Sequence, residues 1–272
     1  MTTESHGPAG TAVACDATTL QRLCALAEEA GREIMAVYAG EVATWQKADA
    51  SPLTEADLRS DRVIRNGLER AFPGVFILSE ESTSPDGGTP GTFFLVDPLD
   101  GTKEFLKRNG EFTVNIALIE NGTPVAGVVF APALDELFAA AAGCGATKRA
   151  GGVTAPIRVA PSTAGTPLRV IASRSHADAD LTAWLGALGR SHTLVSVGSS
   201  LKFCRIAEGA ADVYPRFGPT SQWDTAAAQA VLEIAGGLVV DLGGTPLRYG
   251  LERPILNPAF LAAATPALAA LG

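Results

Sequence analysis

The 272-residue chain has little of what sulfur and imidazole chemistry requires. Its four cysteines, Cys15, Cys24, Cys144 and Cys204, form no CxxC pair, and its three histidines, His6, His176 and His192, are equally scattered. Such spacing suggests neither a disulfide framework nor a zinc site, and a reducing cytoplasm is the compartment that fits. No Cys/His or Ser/His constellation presents itself for covalent catalysis. No apolar run reaches the roughly 18 residues that a membrane span needs. The opening MTTESHGPAGTAVACDA lacks both a basic segment and a continuous apolar one, so it does not read as a signal peptide. Residues 1–15 are expected to be a disordered leader. Lysine is scarce, at Lys47, Lys103, Lys107, Lys148 and Lys202 only, and the formal net charge is −8. That balance excludes a protein that coats nucleic acid, which needs a basic face. A small anionic ligand stays admissible, provided cations or a local basic patch neutralise it.

What is present describes an ordered globule, with 47% hydrophobic and 18% charged residues. A chain of this length buries roughly three-quarters of its unfolded surface. Leu20, Leu23, Leu26, Ala27, Ala30, Ile34 and Val37 recur at helical spacing up to Gly40. A second helix is expected from Thr54 to Phe72, capped by Thr54 and ended by Pro73-Gly74. VFILSEES and TFFLVD read as strands, and Asn121-Gly122 marks a hairpin between two β-rich runs. DELFAAAA reads as a strand and Gly143–Gly152 as a turn-rich connection. Strands and helices then alternate from LRVIAS to WDTAAAQAVLEIAGG, and LVVDLGGTPLRY is expected to close as a hairpin. The fold class is therefore α+β in residues 16–160 and α/β in residues 161–272, with the boundary among Pro156, Pro161 and Pro167.

VDPLDGTKEF places Asp97 and Asp100 three residues apart at the end of an apolar run. Asp57, Glu80, Glu81 and Asp224 also stand where a strand ends or a helix begins. Clustered carboxylates that stay ionised need cations, and hard oxygen ligands favour Mg²⁺ or Ca²⁺. Paired ions would suit phosphoryl displacement. Taken singly, each acid has a plainer explanation. Asp97–Asp100 can be an Asx-turn, and Asp57 and Asp224 can be helix caps. Only the joint occurrence, with Thr102 after Gly101, favours chemistry.

On the basic side, Lys202 in GSSLKFC and Arg216 in YPRFGP sit in apolar or Gly/Pro-shaped contexts, whereas Lys107 and Arg108 read as a solvated face. The turn at Ser199-Ser200 precedes a helix whose N–H groups could hold an oxyanion. Trp223 reads as core. A haloacid-dehalogenase-type phosphatase would need DxDGT, and DPLDGT carries one residue too many.

DPLDGT together with WDTAAAQAVLEIAGG resembles the paired signatures of the inositol-monophosphatase-like superfamily of metal-dependent, lithium-sensitive phosphatases. KADASPLTEAD, LSEES, LKRNGEFTVNIALIENG, VGSSLKFCRIAEG and YPRFGPTSQWDTAA resemble its bacterial 3′(2′),5′-bisphosphate nucleotidase branch, over about residues 16–260. The resemblance implies a layered αβαβα fold. It implies hydrolysis of adenosine 3′,5′-bisphosphate (pAp) to AMP, and of the sulfated nucleotide PAPS, in sulfate assimilation. It implies two or three Mg²⁺ held by Glu80, Asp97, the Leu99 carbonyl, Asp100 and Asp224. Glu80, Thr102 and Asp57 would serve the attacking water, and Gly101, Thr102 and Lys103 the scissile phosphate. Inositol monophosphatases carry a glutamate where Arg216 stands, and arginine suits a second phosphate. Arg216, Lys202, Ser199 and Ser200, with Asp224, would form that part of the substrate site. Several relatives place an aspartate three residues before the motif threonine, where this chain has Ser51, with Asp49 nearby. An inositol or sugar-phosphate phosphatase and a nucleotide-sensing protein on the same scaffold are the competing readings. A homodimer and peripheral attachment to the cytoplasmic face of the inner membrane are left open.

Overall fold

A computed structural model describes residues 13–40, 44–46, 52–82, 90–163, 165–173 and 179–272. Most of the expected leader, and both Asp49 and Ser51, lie outside the described residues. Among the described residues the first element is α1 (Ala17–Tyr38), followed by the short ribbon β1 (Thr44–Gln46) and β2 (Pro52–Thr54). It continues through α2 (Glu55–Ala71), β3 (Phe76–Ser79), β4 (Thr92–Asp100), α3 (Thr102–Leu106), β5 (Thr113–Glu120) and β6 (Thr123–Ala131). Then come β7 (Glu136–Ala141), β8 (Gly145–Ala150) and β9 (Val153–Pro156). The remainder is β10 (Leu168–Ser173), α4 (Ala179–Ala187), β11 (His192–Val197), α5 (Leu201–Ala207), β12 (Val213–Arg216), α6 (Gln222–Ile234), β13 (Leu238–Asp241), β14 (Phe260–Ala263) and α7 (Pro266–Ala269).

β3 to β9 form one seven-stranded sheet in sequence order, with β3 parallel to β4 and the rest an antiparallel meander. Asn121 and Gly122 both take positive φ, 50° and 76°, the pair a two-residue hairpin turn requires. The second sheet has the order β11-β10-β12-β14-β13, with parallel pairs around β10 and antiparallel pairs around β14. α1 and α2 cover the outer face of the first sheet. α6 packs on its inner face and, with α5, on the second sheet, whose far side carries α7. Trp184 of α4 ties to that side by donating to the Leu271 carbonyl, 2.7 Å away. The layers are thus αβαβα, with the central strands of each sheet buried on both faces and the edge strands β9 and β11 largely exposed. Gly127 on β6 is what lets α6 come so close, since a Cβ there would lie 2.2 Å from the Ala227 carbonyl oxygen.

One local expectation is corrected and another narrowed. Gly143–Gly152 is not a mere connection: β8 lies within it, pairs along its length with β7, and leads through Gly151-Gly152 into β9. The pairing is fastened by Lys148 bridging Glu136 (2.6 Å) and Glu208 (2.7 Å). LVVDLGGTPLRY closes as a short hairpin only, with one bridge, Val240 to Pro246, and the Asp241 and Leu247 N–H groups donating to the Thr245 and Val239 carbonyls, because β13 finds its full partner in the distant β14.

Candidate active site

The motif VDPLD lies within a strand rather than after it. β4 runs through to Asp100, and its pairing with β5 slips between Asp97 (opposite Asn115) and Asp100 (opposite Thr113). One extra residue on β4 makes a bulge, placed where Pro98 has no N–H to give the ladder. Ser60 of α2 pins the bulge by donating to the Pro98 carbonyl at 2.7 Å. Asp97 Oδ1 accepts from the Leu99 N–H at 3.0 Å. The Asx-type bond weighed against the chemical reading is therefore present, and it uses one carboxylate oxygen. Gly101 turns the chain with φ +90°, and a Cβ there would stand 3.2 Å from the Glu111 carbonyl oxygen and 3.3 Å from Ser199 Cβ.

Asp57 combines two roles. It is the third residue of α2, buried, and one oxygen accepts from the Thr54 N–H (2.7 Å) and hydroxyl (2.6 Å), completing a capping box. Its other oxygen faces Thr102 Oγ1 at 3.4 Å. Thr102 Oγ1 also lies 3.5 Å from the Leu99 carbonyl oxygen. The helix cap and the motif threonine are thus joined across 45 residues of sequence.

The acids expected to act together are brought together. Glu80 follows β3, its N–H donating to the Val96 carbonyl at 3.2 Å, which sets it beside Asp97. Asp97 is buried, and burial followed by the charges of Glu80, Asp100 and Asp224 pushes its carboxyl well above the usual range. Asp100 is raised by burial, against the Lys202 ammonium and the Ser200 N–H, which pull the other way. Asp224, third residue of α6, accepts from the Ser221 N–H at 2.8 Å. Burial, then the Asp100 charge, pushes it up to about 8, with Ser221 and Arg216 opposing. Four acids that disfavour one another's charge are held together by the fold, the electrostatic situation that a bound cation relieves. Their all-oxygen donor chemistry, with the Leu99 carbonyl adjacent, fits Mg²⁺. Among the described residues no three such side chains close into a finished ligand set.

The basic residues line a cleft of about 120 Å³ together with Asp100, Gly101, Ser199, Ser200, Thr220 and Asp224. Lys202 donates to the Ser199 carbonyl at 2.8 Å, its ammonium 5.5 Å from the Tyr214 ring centre. Arg216 folds over its own loop, with Nε donating to Gly218 O (3.1 Å) and Nη2 to Pro219 O (2.7 Å). The expectation for the Ser199-Ser200 turn changes. Its anion is the protein's own, since the Ser200 N–H donates to Asp100 Oδ2 at 2.6 Å. The Ser200 hydroxyl is occupied by Asn115 Oδ1 and Thr113 Oγ1, both 2.8 Å away. Ser199 holds φ at 46°, the left-handed region, to make this turn. Lys103 is exposed and outside the cleft lining. Arg108 is no mere solvated residue: it donates to the Tyr38 and Gly40 carbonyls and fastens the end of α1. Trp223 packs against the core as expected. Sequence reasoning missed Asn115, Ser60, Glu104 and Thr220. Asn115 sits opposite Asp97 in the strand pairing, a placement that needs the register.

A layered αβαβα fold with such an acidic cluster defines a recognisable class. The chain belongs to the inositol monophosphatase family, whose model matches residues 16–271. It is 50% identical to the 3′(2′),5′-bisphosphate nucleotidase CysQ of Escherichia coli K12 over 247 residues, 89% of this chain and 98% of that protein. It is 42% identical to the CysQ of Buchnera aphidicola, over 90% of this chain and 93% of that one. Among solved structures, CysQ of Bacteroides thetaiotaomicron superposes with a TM-score of 0.79 at 38% identity, over 91% of this chain and 98% of that one. An inositol monophosphatase from Anabaena gives a TM-score of 0.75 at 28% identity, over 93% of each chain.

Proposed function

We propose that this chain is a Mg²⁺-dependent 3′(2′),5′-bisphosphate nucleotidase, acting in the cytoplasm on pAp to give AMP and phosphate, and on PAPS by the same hydrolysis. The observation that carries the reading is one cleft with mutually repelling Asp100 and Asp224 on its wall, Asp97 and Glu80 behind them, and Lys202 and Arg216 facing it. The names of the relatives support the substrate. An arginine at position 216 suits a second phosphate better than a sugar hydroxyl.

Glu80, Asp97, Asp100, Asp224 and the Leu99 carbonyl would hold two or three Mg²⁺, which supply charge neutralisation and a more acidic water. Thr102, whose hydroxyl donates toward Asp57, keeps its oxygen lone pairs available to accept from the attacking water. Asp57 fixes that hydroxyl from the frame of α2, and Glu80 assists on the other side. Gly101 and Thr102 are assigned to the scissile phosphate, and Lys103 through its backbone N–H alone, since its side chain is exposed and outside the cleft lining. Ser200 holds Asp100 in place, while Lys202, Ser199 and Arg216 take the second phosphate. No covalent intermediate is required.

Phosphate release from pAp, PAPS, inositol 1-phosphate and fructose 1,6-bisphosphate, with and without Mg²⁺, tests the reading. The expected result is Mg²⁺-dependent turnover with kcat/KM highest on pAp. Preference for inositol 1-phosphate would overturn the substrate, and full activity in EDTA would overturn the mechanism.

A further inference from the structure

Thr220 ends the loop that wraps Arg216, four residues after that arginine and four before Asp224. Its side chain lines the cleft. Its hydroxyl oxygen is shielded from solvent and has no hydrogen-bond partner among the described residues. The carbonyl of the same residue accepts from the Asn257 N–H at 2.8 Å. A buried hydroxyl without a partner costs about 1–3 kcal/mol, and valine would fill the same shape without that cost. A threonine here calls for a partner that arrives with the ligand.

The neighbourhood indicates which part of the ligand. Arg216 spends two N–H donors on Gly218 and Pro219, the residues immediately before Thr220, and a guanidinium has five. The remaining donors and the Thr220 side chain belong to one short loop at one wall of the cleft. A turn of about 120° about χ1 carries the threonine hydroxyl into the position now held by the methyl, and the methyl into that of the β-hydrogen, which is the movement that would deliver the hydroxyl to the cleft.

We infer that Thr220 is a specificity residue whose hydroxyl donates to an oxygen of the second, non-reacting phosphate, sharing that group with Arg216. The inference rests on the bisphosphate reading of the cleft. A donor spent on a remote phosphate contributes binding common to ground and transition states, so its loss appears mainly in KM.

The test compares pAp with adenosine 3′-monophosphate, which lacks the second phosphate, for wild type, Thr220→Val and Thr220→Ser. Thr220→Val should lower kcat/KM on pAp about tenfold, in line with one hydrogen bond to a charged group, mostly through KM. It should change kcat/KM on the monophosphate less than about twofold. Thr220→Ser should retain most of the pAp activity. The melting temperature of ligand-free Thr220→Val should be unchanged or higher, because the replaced hydroxyl bonds nothing there. Equal losses on both substrates, no loss on either, or a loss that follows a lowered melting temperature would each overturn the assignment. If wild type strongly prefers pAp while one of those results holds, only the role of Thr220 fails. Equal wild-type kcat/KM on the two substrates would sink the second-phosphate reading as well.

Discussion

Asp97→Asn should make the metal-free protein more stable and the enzyme almost inactive. Asn keeps the oxygen that accepts from the Leu99 N–H, so the bulge retains its local bond. It removes a buried carboxyl whose ionised form is opposed by burial and by Glu80, Asp100 and Asp224. Relief of such a site commonly yields about 0.5–2 kcal/mol, or roughly 2–4 °C per kcal/mol in a protein of this size. Activity should fall at least about 100-fold, beyond what loss of an outer-shell partner costs a metal site. With Mg²⁺ added the order should invert, because wild type gains ligand-linked stability and the variant gains less. Thermal unfolding in EDTA and in Mg²⁺, beside phosphate release from pAp, checks all parts. A variant less stable in EDTA, or one that keeps wild-type turnover, contradicts the account of the cluster.

The second large effect lies away from the cleft. Asp212, fully buried just before β12, accepts from the Ser162 N–H (2.7 Å) and hydroxyl (2.6 Å). It also accepts from the Arg169 N–H (2.7 Å), Nε (3.1 Å) and Nη2 (2.7 Å). Arg169 in turn donates to the Gly209 and Ala160 carbonyls, both at 2.6 Å. One carboxylate thus fastens the connection between the two sheets to the start of β10 and β12. Asp212→Asn should cost about 3–5 kcal/mol at neutral pH, the range for breaking a buried charge pair from one side. The hydrogen bonds from Arg169 and Ser162 outweigh burial and hold this carboxyl below its usual range. A depressed folded value means stability that is full above the unfolded value of about 3.9 and lost as pH falls through the folded one. The gap between wild type and variant should therefore narrow below about pH 4. Urea unfolding at pH 7 and pH 3 measures it. A gap under about 1 kcal/mol at pH 7, or one independent of pH, refutes the role.

Segments whose signals are local are legible in the sequence, and those whose partners are distant are not. α2 carries its start and stop in Thr54, Asp57 and Pro73, and it forms as Glu55–Ala71. The Asn121-Gly122 hairpin is likewise self-contained. β8 reads GATKRA, charged and flanked by glycine, and becomes a strand only because β7 supplies the ladder and Glu136 the counter-charge. β14, FLAA, has no β-branched residue, and its pairing to β12 and β13 joins remote segments. The same division runs through the site. Asp97, Asp100 and Asp224 announce themselves by motif, whereas the contact of Asp57 with Thr102 and the grip of Ser200 on Asp100 depend on packing across the fold. For Asp57 and Asp97 a cap or turn bond does not compete with the proposed role in the cleft, because the bond to the Thr54 or Leu99 amide occupies only one carboxylate oxygen.

That division of labour within each carboxylate has a spectroscopic consequence. Asp57 is bonded to the amide of Thr54, Asp97 to that of Leu99, Asp100 to that of Ser200 and Asp224 to that of Ser221. Each acid therefore has its own backbone proton, whose resonance follows the charge on the oxygen it touches. Four amides, at residues 54, 99, 200 and 221, amount to a built-in set of reporters that would resolve the order in which these four acids lose protons, with no label on the ligand.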